Sequence, residues 1–169
     1  MTTHTVFLLL GANLGDRATT LQRAKETIQI DLGPVLKQSA LYETAAWGVT
    51  DQPAFLNQVL KVLSIFSPEE MLEKTQAIET RLGRVRREKW GSRIIDIDLL
   101  YVDEAVMTTE KLTLPHPFLH ERRFTLVPLT ELEPEFIHPV FQKTNRQLLA
   151  ECQDEGEVKE WKSWPTSIQ

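Results

Sequence analysis

The order of extended and helical segments is the feature that most constrains what this chain can fold into. Four apolar runs have the composition of strands, at residues 5–10, 35–44, 55–65 and 94–102. Two amphipathic segments, 16–32 and 67–82, separate them in the order strand, helix, strand, strand, helix, strand. This is the split βαβ order of ferredoxin-like α+β folds. We therefore predict an antiparallel sheet with both helices packed on one face, which leaves the other face for a site.

Local signals define the ends of the two helices. Asp16 is suited to cap the first helix, and the Gly-Pro pair at 33–34 ends it. The second helix begins at the sequence Ser-Pro-Glu-Glu, where Ser67 is the N-cap, proline takes the first helical position and Glu70 completes a capping box. Gly83 ends this helix.

The remaining residues predict extra elements after the fourth strand. A hairpin is expected near residues 106–114, and helical pieces around 121–132 and 145–151. With no repeats and no linker, residues 1–169 are treated as one domain, of which 154–169 form a peripheral tail.

Composition excludes several classes of protein. The 169 residues are 41% hydrophobic and 25% charged, as in soluble globular proteins. No run approaches the roughly 20 apolar residues of a membrane span, and the first residues do not resemble a secretory signal. A single cysteine, Cys152, cannot form an internal disulfide, which fits a reducing compartment. We therefore expect a cytoplasmic, monomeric protein that binds no membrane.

Positive charge is concentrated in one segment of an otherwise acidic chain. The net charge is −5, yet residues 81–93 carry six basic groups against one glutamate. A short basic segment in an acidic protein suits a small polyanion better than a nucleic acid. A solvated charge run is the plainer alternative. The phosphate-binding G-x-x-x-x-G-K-[ST] pattern does not occur, and the glycines of 11–15 fit a strand-to-helix turn.

Two acidic side chains follow directly after this basic segment, on the fourth strand. Strand side chains alternate, so Ile95, Ile97 and Tyr101 are expected to face the core, whereas Asp96 and Asp98 share the other face, roughly 6–7 Å apart. Carboxylates combined with substrate phosphates are typical ligands of Mg²⁺. An ordinary exposed strand with paired acids is the alternative.

A polar side chain flanked by aromatic rings forms the other candidate site. On the third strand Phe55, Asn57 and Val59 share a face, and an amide beside a ring can recognise a flat heterocycle. Taken alone, Phe55 and Phe124 are typical of core residues. The four histidines lack the spacing of a zinc site.

Several segments together resemble the 6-hydroxymethyl-7,8-dihydropterin pyrophosphokinases of folate biosynthesis. The matching pieces, in order, are residues 11–16 (GANLGD), 51–57 (DQPAFLN), 83–86 (GRVR), 90–98 (WGSRIIDID) and 114–116 (LPH). The resemblance implies a ferredoxin-like fold and transfer of the β,γ-pyrophosphoryl group of ATP to the pterin hydroxymethyl group, with release of AMP.

The resemblance also implies roles for individual residues. Asp96 and Asp98 would hold two Mg²⁺ ions that bridge the pterin hydroxyl and the ATP phosphates. The implied pterin-binding residues are Thr44, Trp47, Phe55, Asn57 and Phe124. The implied ATP-binding residues are Gln76, Glu79, Arg86, Leu99, Lys111, Thr113, His116 and Arg122. Arg84, Trp90 and Arg93 would join the two aspartates in catalysis, on a loop that closes over both substrates.

The sequence departs from the family pattern in four places. Pro117 occupies a position that is aromatic in some members. Ala45-Ala46-Trp47 replaces a proline-containing segment, and Phe55 stands where a tyrosine can occur. Lys111 replaces an arginine, so it would bind phosphate as a point charge and not through a two-pronged guanidinium. No general base for the pterin hydroxyl is evident in the sequence, although Asp96 would lie close enough to that hydroxyl to be considered. The alternatives to an enzyme are a ferredoxin-like RNA-binding module, which the net charge disfavours, and a catalytically inactive scaffold, which the intact aspartates and arginines disfavour.

Overall fold

The structure, a computed structural model, describes residues 2–45, 54–83 and 94–162. Its strands are β1 (His4–Ala12), β2 (Val35–Gln38), β3 (Tyr42–Thr44), β4 (Phe55–Ser64), β5 (Asp96–Val102), β6 (Met107–Thr108), β7 (Thr113–Leu114) and β8 (Lys159–Glu160). Its α-helices are α1 (Arg17–Asp31), α2 (Pro68–Arg81), α3 (Arg123–Leu132) and α4 (Asn145–Glu151), and a 3-10 turn covers Leu119–Glu121. The order from β1 to β5 confirms the predicted ferredoxin-like α+β pattern.

The main sheet is built around β1, which pairs antiparallel with β4 on one side and β5 on the other. The strand order is β5-β1-β4-β3-β8, with β2 also paired to β4, and β6 and β7 form the predicted hairpin. The strand predicted over 35–44 is divided into β2 and β3. Between them Ser39 N donates to Val59 O at 2.9 Å, but Val59 N donates to Ser39 Oγ at 2.9 Å, so the side chain takes the place of one backbone acceptor in the ladder.

The helix ends follow the predicted capping signals. The Asp16 side chain accepts a hydrogen bond from the N–H of Thr19, and Ser67 and Glu70 form a reciprocal capping box. Gly83, just beyond α2, has a φ of +100°, a conformation that favours glycine. These contacts explain why the two helices could be located accurately from sequence.

Helices cover both faces of the sheet. Leu8 and Leu10 pack with α1 and α2 on one face, as predicted. On the opposite face Phe7, Leu9 and Val59 pack with α3 and α4. This second face was predicted to be available for a site, and part of it is, because the C-terminal helices cover one part and leave a cavity over the rest.

A β-bulge changes the direction of one side chain in β5. Leu8 pairs with Leu99 and Phe7 pairs with Tyr101, so Leu100 is an extra residue in the ladder. The bulge interrupts the alternation, and Tyr101 joins the α3–α4 side of the sheet. The prediction that Tyr101 shares a face with the preceding isoleucines was wrong for this reason.

The segment after α4 returns to the edge of the sheet. In β8, Lys159 and Glu160 pair with Glu43 and Tyr42 of β3. The Trp161 N–H then donates to Leu41 O at 2.8 Å. The described part of the predicted tail therefore adds an edge strand beside β3.

No helix within residues 2–45, 54–83 and 94–162 is long and apolar enough to cross a membrane.

Candidate active site

A cavity of about 600 Å³ lies on the sheet face that α3 and α4 leave uncovered. Residues from three adjacent strands form its floor: Leu9 and Gly11 of β1, Asn57 of β4, and Asp96 and Asp98 of β5. The other described lining residues are Thr44, Phe55, Phe118, Glu121, Arg122, Phe124 and Asp154. The structure thus brings together both predicted metal ligands and every predicted pterin residue that it describes.

Gly11 lies between Asp96 and Asn57 on the floor of the cavity. It pairs with Asp96 on one side and with Asn57 on the other. With neighbouring strands about 4.8 Å apart, the backbones at Asp96 and Asn57 lie about 10 Å from each other. The predicted metal ligands and Asn57, the residue predicted to bind a heterocycle, are therefore separated by about the length of a small ligand.

Asn57 is the buried polar group of the floor. It is 5% exposed, and its Nδ2 donates to Leu10 O at 3.3 Å. Its Oδ1 has no hydrogen-bond partner among the described residues. Since a buried unpaired acceptor is costly, an N–H group of a ligand in the cavity would satisfy it.

Asp96 and Asp98 lie on the same face of β5, and both line the cavity, as predicted. No group of three or more His, Cys, Asp or Glu side chains able to hold a metal occurs in the described part of the chain. Mg²⁺ needs no such group, because it commonly binds one or two carboxylates and completes its shell with waters and substrate phosphates. The two carboxylates therefore fit Mg²⁺ held jointly with a phosphate ligand.

A second cavity, of about 280 Å³, lies beyond β5. Its lining includes Leu99, Lys111, Thr113 and His116, four of the predicted ATP-binding residues. Asp98 lines this cavity as well as the larger one. Four predicted ATP residues therefore line the smaller cavity, which meets the larger one at the predicted metal ligand Asp98. A further predicted ATP residue, Arg122, lines the larger cavity beside the predicted pterin residues.

His116 is held as a neutral hydrogen-bond donor in this second cavity. Its Nδ1 accepts from the N–H of Phe118 at 3.1 Å, which leaves the ring proton on Nε2. Burial, and then the positive charge of Arg122, lower the pKa of His116 from 6.5 to about 4. The imidazole can therefore donate one hydrogen bond at neutral pH without carrying charge.

Two other predicted ATP residues lie on α2 and line neither of these cavities. Gln76 is exposed. Glu79 is 5% exposed, and its Oε2 accepts from Ile97 N at 2.7 Å, which attaches α2 to β5 next to the aspartates. The geometry gives Glu79 a role in placing β5, and its contact with ATP stays a prediction, as does that of Gln76.

Arg122 lies between two aromatic rings in the larger cavity. Its guanidinium carbon is 5.1 Å from the centroid of Phe118 and 5.7 Å from that of Phe124. Phe124 is half-buried and packs on the α3–α4 core while also lining the cavity. Phe124 therefore packs on the core and also borders the candidate site, and its contact with the pterin stays a prediction.

The described lining of the larger cavity is acidic. Asp96, Asp98, Glu121 and Asp154 oppose the single cation Arg122, a net of −3 from four acids and one base. A polyanionic ligand therefore needs further cations here. Metal ions and the basic segment are the candidates, but the predicted residues Arg84, Arg86, Trp90 and Arg93, like Trp47, lie outside the described residues.

Sequence reasoning missed several residues of the larger cavity. Period-two alternation along the first strand was a sufficient signal to place Leu9 and Gly11 on one face. Phe118 and Glu121 lie around a 3-10 turn that has no such period. Asp154 carries no local signal, because it reaches the cavity only through the return of the C-terminal segment.

Comparison with known proteins agrees with this arrangement. Residues 7–134 match the family model of 7,8-dihydro-6-hydroxymethylpterin-pyrophosphokinase. The chain is 43% identical over 147 residues to 2-amino-4-hydroxy-6-hydroxymethyldihydropteridine pyrophosphokinase of Aquifex aeolicus, a match that covers 87% of this chain and 91% of that protein. The protein of the same name from Bacillus subtilis is 37% identical over 157 residues, covering 92% and 89%.

The fold is also found in solved structures. A crystal structure of wild-type Plasmodium falciparum HPPK-DHPS with pteroate matches with a TM-score of 0.75 at 17% identity. The match covers 88% of this chain and 44% of that one, and it shows the likeness of fold. The sequence matches go further and confirm the resemblance drawn from the motifs. This chain belongs to the 7,8-dihydro-6-hydroxymethylpterin-pyrophosphokinase family.

Proposed function

We propose that this chain transfers the pyrophosphoryl group of ATP to the hydroxymethyl group of 6-hydroxymethyl-7,8-dihydropterin, and that the two cavities hold the two substrates. The family assignment supports the reaction. The observation that carries the site assignment is the position of Asp98, which lines both cavities. A phosphate chain that begins in the smaller cavity would reach the pterin hydroxyl in the larger one at this carboxylate.

In this proposal the pterin lies on the floor of the larger cavity. Phe55 and Phe124 contact its two faces, and the Asn57 Oδ1, which lacks a partner among the described residues, accepts from an N–H of the ring. Stacking fixes the plane of the ring, and the amide fixes its rotation within that plane. The hydroxymethyl group is then directed across Gly11 toward Asp96 and Asp98.

The smaller cavity positions the phosphates. The Nε2–H of His116 donates a hydrogen bond to a phosphate oxygen, and the Lys111 ammonium adds a positive charge. Asp96 and Asp98 would hold two Mg²⁺ ions, which neutralise charge that develops on the transferring phosphates. The predicted roles of Arg84, Arg86, Trp90 and Arg93 belong to the same proposal and rest on the family resemblance.

The cellular setting completes the proposal. We infer a monomer in the cytoplasm that binds no nucleic acid or membrane, supported by the single cysteine and the net charge of −5. Sedimentation equilibrium of the purified chain distinguishes a monomer from a dimer.

Product analysis tests the proposed reaction. The chain, with ATP, Mg²⁺ and the pterin, should release AMP and form a pterin diphosphate in equal amounts, separated by ion-exchange chromatography. Asp98→Asn should lower this activity on the order of a hundredfold. Glu104→Gln removes an exposed acid that lines neither cavity and should leave the activity unchanged. Release of ADP, or of AMP without the pterin diphosphate, would contradict the proposal.

A further inference from the structure

The first turn of α3 receives its cap from a distant part of the chain. Arg122, at the N-cap position, makes no side-chain capping bond. The N–H of Arg123, the first residue of the helix, instead donates to Asp154 Oδ2 at 3.0 Å. Asp154 Oδ1 accepts from Gly156 N at 2.9 Å, which holds the carboxylate in place. Asp154 thus supplies both a missing acceptor and a negative charge at the positive end of the helix.

Phe124 follows Arg123 in the chain, and its ring lines the larger cavity. The other end of α3 is attached to the sheet. Glu131 accepts from the Tyr42 hydroxyl at 2.7 Å, and Glu133 pairs with Lys61 at 2.7 Å. With the far end of the helix held by these bonds, the position of Phe124 depends on how the first turn is held.

The segment that carries Asp154 also touches the opposite wall of the cavity. Five residues after Asp154, Lys159 pairs with Glu43 of β3, and the next residue of that strand is Thr44. Asp154 itself lines the larger cavity together with Thr44 and Phe124. One short segment therefore connects the strand that carries Thr44 to the helix that carries Phe124.

We infer that Asp154 is a positioning residue of the pterin site. By capping the first turn of α3, it fixes the position of the Phe124 ring in the wall of the cavity. The inference rests on the proposed stacking role of Phe124. It assigns to the C-terminal segment a part in substrate binding that its peripheral position in the sequence did not suggest.

Binding measurements on Asp154→Ala test this role. Calorimetric titration with the pterin should show affinity reduced about five- to tenfold, because a displaced Phe124 ring loses part of its stacking on the pterin. The affinity for a non-hydrolysable ATP analogue should stay within twofold. Asp154→Asn keeps one acceptor for the Arg123 N–H and should recover most of the pterin affinity. Glu155→Ala, an exposed acidic neighbour, is the matched control and should bind both ligands normally.

A double-mutant cycle with Phe124→Ala separates this inference from the proposed function. If Asp154 acts through Phe124, Asp154→Ala should cost little further pterin affinity once the ring is absent. Additive losses, equal losses for both ligands, or no loss in Asp154→Ala while Phe124→Ala weakens pterin binding would overturn the inference. If Phe124→Ala itself leaves pterin binding unchanged, the proposed pterin site is wrong instead.

Discussion

The Asn57 amide lies so close over Gly11 that a Cβ at residue 11 would come within 2.6 Å of Nδ2. The two residues pair across β1 and β4, and Asn57 uses the space to reach Leu10 O. Glycine is required here by the neighbouring side chain, since Gly11 has an ordinary extended conformation within the strand. The orientation of Asn57, the proposed pterin-binding amide, therefore depends on the absence of a side chain at residue 11.

Gly11→Ala should displace the Asn57 amide. Loss of the bond to Leu10 O leaves a buried group without its partner, so the free energy of unfolding should fall by about 1–3 kcal/mol. Pterin affinity should fall as well, while ATP affinity changes little. Urea unfolding and calorimetry measure the two effects. In an Asn57→Ala background the added methyl has no amide to displace, and a full-sized effect there would contradict this explanation.

Phe124→Ala should weaken pterin binding selectively. Stacking between an aromatic side chain and a nucleobase is worth about 1–3 kcal/mol, and we expect a similar loss for the pterin ring. In the proposed arrangement the ATP analogue occupies the other cavity, so it should bind as before. Comparable losses for both ligands would show that the substitution damages the α3–α4 core rather than the site.

Asp96→Asn and Asp98→Asn should each lower turnover on the order of a hundredfold, which corresponds to roughly 3 kcal/mol of transition-state stabilisation. Both side chains lie on the cavity face of β5, so the thermal unfolding midpoint should change little. Affinity for ATP should decrease in the presence of Mg²⁺ and be nearly unchanged in EDTA. Near-normal turnover in both variants would rule out the assignment of these carboxylates as metal ligands.

Two histidines predict how stability depends on pH. Burial lowers the pKa of both His116 and His138 from 6.5 to about 4, with smaller contributions from Arg122 and His120 respectively. The unfolded chain therefore binds more protons between these values. The free energy of unfolding should be highest above about pH 6.5 and fall as the pH decreases toward 4. Each histidine accounts for at most one bound proton in the slope of this free energy against pH.

Urea unfolding between pH 4.5 and 7 measures this slope. In His138→Asn, the amide oxygen can still accept from Val140 N and Phe141 N, the bonds that His138 Nδ1 accepts in the structure. The variant should therefore fold and show a slope smaller by up to one proton. An unchanged slope would show that His138 does not contribute.

The parts of the site that were predictable from sequence are those that depend on local periodicity. Alternation along one strand was enough to place Asp96 and Asp98 together, and capping residues were enough to place α2. The bulge at Leu100 is a property of the pairing between two strands, so the direction of Tyr101 was not predictable. Asp154 reaches the cavity because β8 pairs with a strand more than 100 residues earlier, a contact that no local pattern reports.

The proposed function requires the two substrates to meet at Asp98, the carboxylate that lines both cavities. A crystal structure of the chain with Mn²⁺, a non-hydrolysable ATP analogue and the pterin tests it most directly. We expect anomalous density for Mn²⁺ at Asp96 and Asp98, the pterin ring between Phe55 and Phe124, and phosphates next to His116. Metal density away from both aspartates, or the pterin bound in the smaller cavity, would contradict it.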